Sequence, residues 1–186
     1  MELVYNFIRS WILPLKDIDN IVPKKAKVLD LGCGEGVLTS FLAKEEGRDV
    51  VGVDLNKKRI RKSDRKNLKF EYGDATKYPI KDVDTVILSD SLHHINQSSH
   101  LDLLTKISKN LKKGNLLLIK DVDTSQVIRS NLTRLWDFIL YPEDKIYFYN
   151  AKELKKIISN LGFNVEVRYV SKTFPGSTTL YICTKR

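Results

Sequence analysis

Short apolar runs alternate with amphipathic stretches through most of the chain. AKVLDLG (26–32) predicts a buried strand, and GVLTSFLAKEEG (36–47) an amphipathic helix stopped by Gly47. DVVGVDL (49–55) predicts a second strand, followed by a polar helix over NKKRIRKSDRK (56–66) with Asn56 as its cap. NLKFEYG predicts a third strand. VDTVILSD is apolar on both faces, as a parallel strand covered by helices requires. SSHLDLLTKISKNLKKG predicts a helix with a serine cap, apolar positions at 101, 103, 104, 107 and 111, and Gly114 as its stop. NLLLIKD supplies a fifth strand. Strands alternating with helices imply βαβ units and a parallel sheet with both faces covered, an α/β fold.

The rhythm changes after Asp121. QVIRSNLTRLWDFILY reads as helical and Pro142 ends it, while NAKELKKIISNLG is a helix capped by Asn150 and stopped by Gly162. NVEVRYVS and STTLYICT then read as two strands joined by the short turn KTFPG, so they are expected as antiparallel neighbours. No repeat, low-complexity tract or linker interrupts the chain. Its 186 residues suit one domain, 1–186.

Composition narrows the class. Hydrophobic residues make up 42% and charged residues 30%, an ordinary balance for a soluble protein. Two cysteines, Cys33 and Cys183, make no disulfide framework. The N-terminal stretch MELVYNFIRSWILPLKD mixes Glu2, Asn6 and Arg9 into its apolar residues and has no small-residue cleavage site. No run approaches the ~20 apolar residues of a membrane span. A cytoplasmic location is expected. The net charge of +9 admits a polyanion such as RNA, or peripheral contact with anionic lipid. Scattered lysines on a solvated surface explain it as well.

The chemistry concentrates at VLDLGCGEG. Gly32, Gly34 and Gly36 lie where the first strand hands over to a helix, the switch point at which open α/β sheets bind ligands. Asp54 ends the second strand 22 residues after Gly32, close to the ~20 expected of an acid that binds a ribose hydroxyl. The pattern fits an adenosine-containing ligand. A dinucleotide fingerprint would need glycine at position 37, which is Val37. Asp30, just before the loop, suits a ligand with a positive amine or sulfonium better than a pyrophosphate. Tyr141 and Lys145 form Y-x-x-x-K, but Pro142 breaks the helix that such a pair needs.

The chain resembles the class I S-adenosylmethionine-dependent methyltransferases. LDLGCGEG, VVGVDL, EYGDATKYP and DTVILSDSLHHI match that family's first four motifs in order, and LKKGNLLLIKDVD its fifth strand. The resemblance implies a three-layer Rossmann-like sandwich with a seven-stranded, mainly parallel sheet of order 3-2-1-4-5-7-6 and strand 7 antiparallel. It implies S-adenosyl-L-methionine as cofactor and S-adenosyl-L-homocysteine as product. Gly32, Cys33 and Gly34 would line the methionine part, with Asp30 orienting its amine. Asp54 would take the ribose hydroxyls and Leu55 would pack on the adenine. Asp74 and Ala75 would meet the adenine edge. Asp90 and Ser91 would lie near the amine and the transferred methyl.

Methyl transfer needs a base only if the acceptor must lose a proton. His93, His94, Asp90 and Asp121 are the candidates after strands four and five. The three histidines have no metal-ligand spacing, and no metal is expected. The fourth motif reads SDSL rather than the proline–aromatic tetrapeptide of amino-methylating nucleic-acid enzymes. Asp90 and Lys120 could fill two places of the Lys-Asp-Lys-Glu set of ribose 2′-O enzymes, but STTLYIC has no final glutamate. Aromatic residues between 124 and 150 (Trp136, Phe138, Tyr141, Tyr147, Phe148, Tyr149) are expected to roof the acceptor site. Residues 1–22, with Leu3, Val4, Phe7, Ile8, Trp11 and Ile12 at helical spacing, are expected to form a lid. These features favour a small, lipid-like acceptor. An RNA acceptor, or a non-catalytic cofactor-binding partner subunit, stays open, as does the oligomeric state.

Overall fold

The computed structural model describes residues 13–127, 130, 131, 135, 146–170 and 179–186. The N-terminal positions Leu3 to Ile12, the roof residues Trp136, Phe138 and Tyr141, the Tyr141/Lys145 pair and the KTFPG turn lie outside them. Four helices are bounded: α1 (Leu15–Ile21), α2 (Val37–Leu42), α3 (His100–Asn110) and α4 (Ala151–Asn160). Seven strands form one sheet: β1 (Lys27–Leu31), β2 (Asp49–Asp54), β3 (Leu68–Tyr72), β4 (Thr85–Ser89), β5 (Leu116–Asp121), β6 (Phe163–Tyr169) and β7 (Thr179–Lys185). The order is β3-β2-β1-β4-β5-β7-β6, with β7 antiparallel to both neighbours and the other pairs parallel. The expected three-layer sandwich and strand order are those observed.

Residue alternation along the central strands builds two separate cores. Leu29, Leu31, Val86, Leu88, Leu117 and Ile119 pack against α3 and α4 on one face. Val28, Val50, Ile87, Leu118 and Leu180 pack against α1 and α2 on the other. Because both faces are covered, every residue of β4 and β5 is buried, including Lys120 and Asp121. In α3 the buried positions are His100, Leu103, Leu104, Ile107 and Ser108, a stripe at helical spacing. Burying Leu103, Leu104 and Ile107 contributes roughly 1.5–3 kcal/mol each. The expected apolar position Leu101 is instead 58% exposed. His100 takes its place because Nδ1 meets the Tyr149 hydroxyl at 3.0 Å and Nε2 meets the Ile95 carbonyl at 2.9 Å.

Three sequence expectations are corrected. The polar helix over 56–66 is a single 3-10 turn, Lys57–Arg59, followed by irregular chain. Asn56 does cap it, accepting from the Lys58 N–H at 3.0 Å. Ile60 is the only large apolar residue in that stretch, and like charges recur at helical spacing, so no buried face offsets the cost of ordering a helix. Helix α2 ends at Leu42 and α3 at Asn110, short of Gly47 and Gly114. Those glycines, at φ 92° and 87°, shape the turns leading into β2 and β5. Gly162, at φ 87°, does stand just past the α4 cap residue, Leu161.

One buried cation closes the outer layer. Arg48, 1% exposed, pairs with Asp19 through Nη1. Its Nη2 donates to Asp19 O (2.9 Å) and Val22 O (2.6 Å), and its Nε to Pro23 O (2.9 Å). These are carbonyls that the end of α1 leaves without helical partners. The guanidinium fork thereby fixes α1 against the strand layer.

Candidate cofactor and acceptor site

The site forms along the carboxyl edge of β1, β2, β4 and β5. After β1 the chain turns back on β2, with the N–H groups of Gly32 and Cys33 both donating to Val53 O at 2.8 and 3.0 Å. A Cβ on Gly32 would stand 2.5 Å from Ser91 Cβ, so only glycine lets the loop approach β4 this closely. Gly34, at φ 56°, would meet nothing within 4 Å, so its bare backbone faces open space. Beside the loop lies a shallow cleft, open to solvent, whose walls include Asp30, Gly32, Cys33, Glu35 and Ser89, with Leu13 from the N-terminal side.

Asp54 holds the loop to β2. Its carboxylate accepts from Gly34 N and Asn56 N, both at 2.8 Å. Arg59, which the sequence reading missed, bridges the same two elements: Nη1 lies 3.7 Å from Asp54 and Nε 3.3 Å from Glu35 of the loop. Leu55, next along, is 63% exposed. Asp30 is buried in the cleft floor and accepts from Thr39 Oγ1 at 2.6 Å, tying β1 to α2. Burial, together with the charges of Asp30 and Asp54, pushes the Cys33 thiol well above its ordinary range. That thiol stays protonated and is no nucleophile.

Asp74 shapes the turn after β3. Its Oδ1 accepts from Thr76 Oγ1 (2.7 Å) and Thr76 N (2.8 Å), and the Thr76 hydroxyl holds the carboxyl below its usual range. Ala75 packs against the first core beside it.

The ends of β4 and β5 carry two charge pairs. Both oxygens of Asp90 receive Lys120 Nζ at 2.6 Å, with the lysine 3% exposed. Asp90 sits at φ 51°, a left-handed conformation rare outside glycine. Held this way, its carboxylate is poorly placed to take a proton from an acceptor. Beside it, Ser89 Oγ is buried in the cleft wall with no hydrogen-bond partner among the described residues. Ser91 is occupied, donating to Leu31 O at 2.8 Å. On the opposite face of β5, Asp121 Oδ1 lies 2.6 Å from His93 Nδ1 and also accepts from Val122 N at 2.7 Å. Asp121 thereby holds the His93 ring, which is 3% exposed.

His94 is half-buried. Its ring centroid stands 4.2 Å from that of His93, which is 4.9 Å from Phe148. Tyr147 and Tyr149 pack edge to face at 4.9 Å, with His100 5.5 Å from Tyr149. His93 thus stands between His94 and Phe148, while His100 stands with Tyr147 and Tyr149. Among the described residues no group of His, Cys, Asp and Glu could hold a metal ion. No described helix is long and apolar enough to cross a membrane.

The open space at Gly34, the orphaned Ser89 hydroxyl and the exposed Leu55 fit an adenosine-bearing sulfonium lying along this edge. Relatives of known sequence and fold agree with the geometry. The chain is 33% identical over 114 residues to an uncharacterized methyltransferase of Geobacillus sp. (strain WCH70), covering 57% of this chain and 53% of that protein. It is 30% identical over 146 residues to phosphoethanolamine N-methyltransferase 3 of Arabidopsis thaliana, covering 74% of this chain and 28% of that one. The chain thus spans from about a quarter to about half of these relatives. In fold it matches a SAM-dependent methyltransferase structure from Archaeoglobus fulgidus at a TM-score of 0.74 and 20% identity, over 98% and 99% of the two chains. The family model described as methyltransferase domain matches residues 4–167, and with the motif order, the strand order and the glycine-loop geometry all in agreement, the chain belongs to the methyltransferase domain family.

Proposed function

We propose that this chain transfers a methyl group from S-adenosyl-L-methionine to a small organic acceptor of apolar or lipid-like character. The bound cofactor supplies an activated methyl on a sulfonium; the protein's part is alignment and exclusion of water. Gly32 and Gly34 present bare backbone to the methionine part, and Ser89 offers its unused hydroxyl there. Asp54 offers carboxylate oxygens to the ribose, and Leu55 an apolar face to the adenine. Asp74 and Ala75 border the adenine edge.

The observation that carries the acceptor reading is the short aromatic wall of His94, His93 and Phe148, in which half-buried His94 lies against His93 just after β4 and His93 meets Phe148. Such a wall is apolar with one titratable edge, which suits a small molecule losing a proton at the accepting atom. His94 is the base in this reading, and His93 with Asp121 fixes the ring beside it. The phosphoethanolamine relative supports a small acceptor for this family. Incubation with labelled S-adenosylmethionine and a metabolite extract tests the reading. Label in a small organic product is expected. Label only in RNA, or none despite cofactor binding, overturns it.

A further inference from the structure

Between residues 57 and 69 the chain carries eight basic residues against the single acid Asp64. That is a local excess of seven charges in a chain whose net charge is +9. All eight except Arg59 are exposed. Arg59 is taken up by Glu35 and Asp54. Glu71, the other acid close by on β3, accepts from the Tyr78 hydroxyl at 2.6 Å. Among the described residues, the remaining cations have no comparable set of acids facing them. Several are held in place rather than trailing in solvent. Arg61 donates to Ser40 Oγ at 3.2 Å and lies 5.1 Å over the Phe70 ring, and Arg65 donates to Ser40 O at 3.3 Å. Lys57 stands 4.8 Å over Tyr72, whose side is 52% exposed. A strip of exposed cations, some held by contacts, beside a half-exposed tyrosine has the chemistry that tracks a phosphodiester backbone and meets a base.

We propose that residues 57–69, with Tyr72, form a docking surface for single-stranded RNA beside the cofactor cleft. A membrane fits less well. Stable attachment to a bilayer combines charge with an inserted apolar group. Ile60, the one large apolar residue before Asn67, is half-buried. The strip follows the end of β2 and leads into β3, while His94 and the aromatic wall stand at β4 and β5. RNA binding here is thus separable from the acceptor reading, and so is its test.

Fluorescence anisotropy with a labelled oligouridylate of about 12 nucleotides measures it. The wild-type affinity is expected to fall steeply with salt, with a log–log slope of about −3 for four phosphate contacts. Replacing Lys58, Lys62, Lys66 and Lys69 by Gln together should weaken RNA binding at least tenfold and flatten that slope. S-adenosylhomocysteine affinity, read by calorimetry, should stay unchanged. Equal RNA affinity in wild type and variant overturns the proposal, as does binding to phosphatidylglycerol vesicles without binding to RNA. If the variant loses the nucleoside ligand as well, the wild-type slope decides: a salt-insensitive affinity overturns the surface, and a steep one supports it.

Discussion

The guanidinium of Arg59 stands 3.3 Å from the carboxylate of Glu35, joining the loop after β1 to the loop after β2. Its other arm lies 3.7 Å from Asp54. At 25% exposure the arginine is partly shielded, so the pair contributes only about 1 kcal/mol. Arg59→Met should weaken S-adenosylhomocysteine binding about fivefold, and Glu35→Gln should do the same. The double variant should cost no more than either alone. Additive losses in the cycle would show that the two residues do not act through each other.

Asp54 carries a larger share. Asp54→Ala takes the acceptor from two backbone N–H groups and, in the proposed reading, from the ribose. Charge-assisted hydrogen bonds are worth roughly 1.5–3 kcal/mol each. Calorimetry should show affinity for S-adenosylhomocysteine reduced at least tenfold, with the fold retained. An unchanged dissociation constant would reduce Asp54 to a loop fastener.

The two adjacent histidines should separate cleanly. His93→Ala leaves Asp121 without its imidazole in a buried setting and should lower the melting temperature. His94→Ala should leave melting and cofactor affinity near wild type while cutting methyl transfer by about a hundredfold, the scale of general-base catalysis. Activity that survives in the His94 variant would remove the base from the mechanism.

Lys120→Met strips Asp90 of its ammonium at the left-handed turn. Breaking a buried pair on one side typically costs ~3–5 kcal/mol. Lys120→Met combined with Asp90→Asn should recover part of that loss. Chemical denaturation reads both, and a double variant less stable than the single one would refute the pairing as the cause.

Arg48→Met should cost stability in a different place. Three carbonyls and Asp19 lose their donors at the end of α1. A loss of ~3 kcal/mol would lower the melting temperature by roughly 6–12 °C for a chain of this size. A shift of under a degree would show that water replaces the guanidinium.

The glycine loop and its acid at the carboxyl edge were legible because glycine, a strand-end acid and alternation are local signals. Gly32, Gly34 and Asp54 declare themselves by type and spacing. Arg59 and Glu35 did not, since an arginine in NKKRIRK looks like its neighbours until the loop folds against β1. The same basic run reads as a helix by composition, and only its lack of an apolar face marks it as chain that packing cannot hold helical. His100 was overlooked for Leu101 because a histidine reads as polar until Tyr149 and the Ile95 carbonyl satisfy both ring nitrogens. Asp90 and Asp121 read alike as strand-end carboxylates. Their partners, Lys120 and His93, come from 30 and 28 residues away and give them different duties.

Lys120 and Asp121 are chain neighbours that point into different layers, one toward Asp90 beside the cofactor cleft, the other toward His93 and the aromatic wall. A slip of β5 by one position against β4 would therefore do more than misplace leucines. A slip one way would set the Asp121 carboxylate against Asp90, and a slip the other way would set the Lys120 ammonium beside the His93 imidazole. Either way both native pairs are lost and one repulsion takes their place. Sequence variation can retune either layer, but the phase of this strand is locked by charge as firmly as by shape.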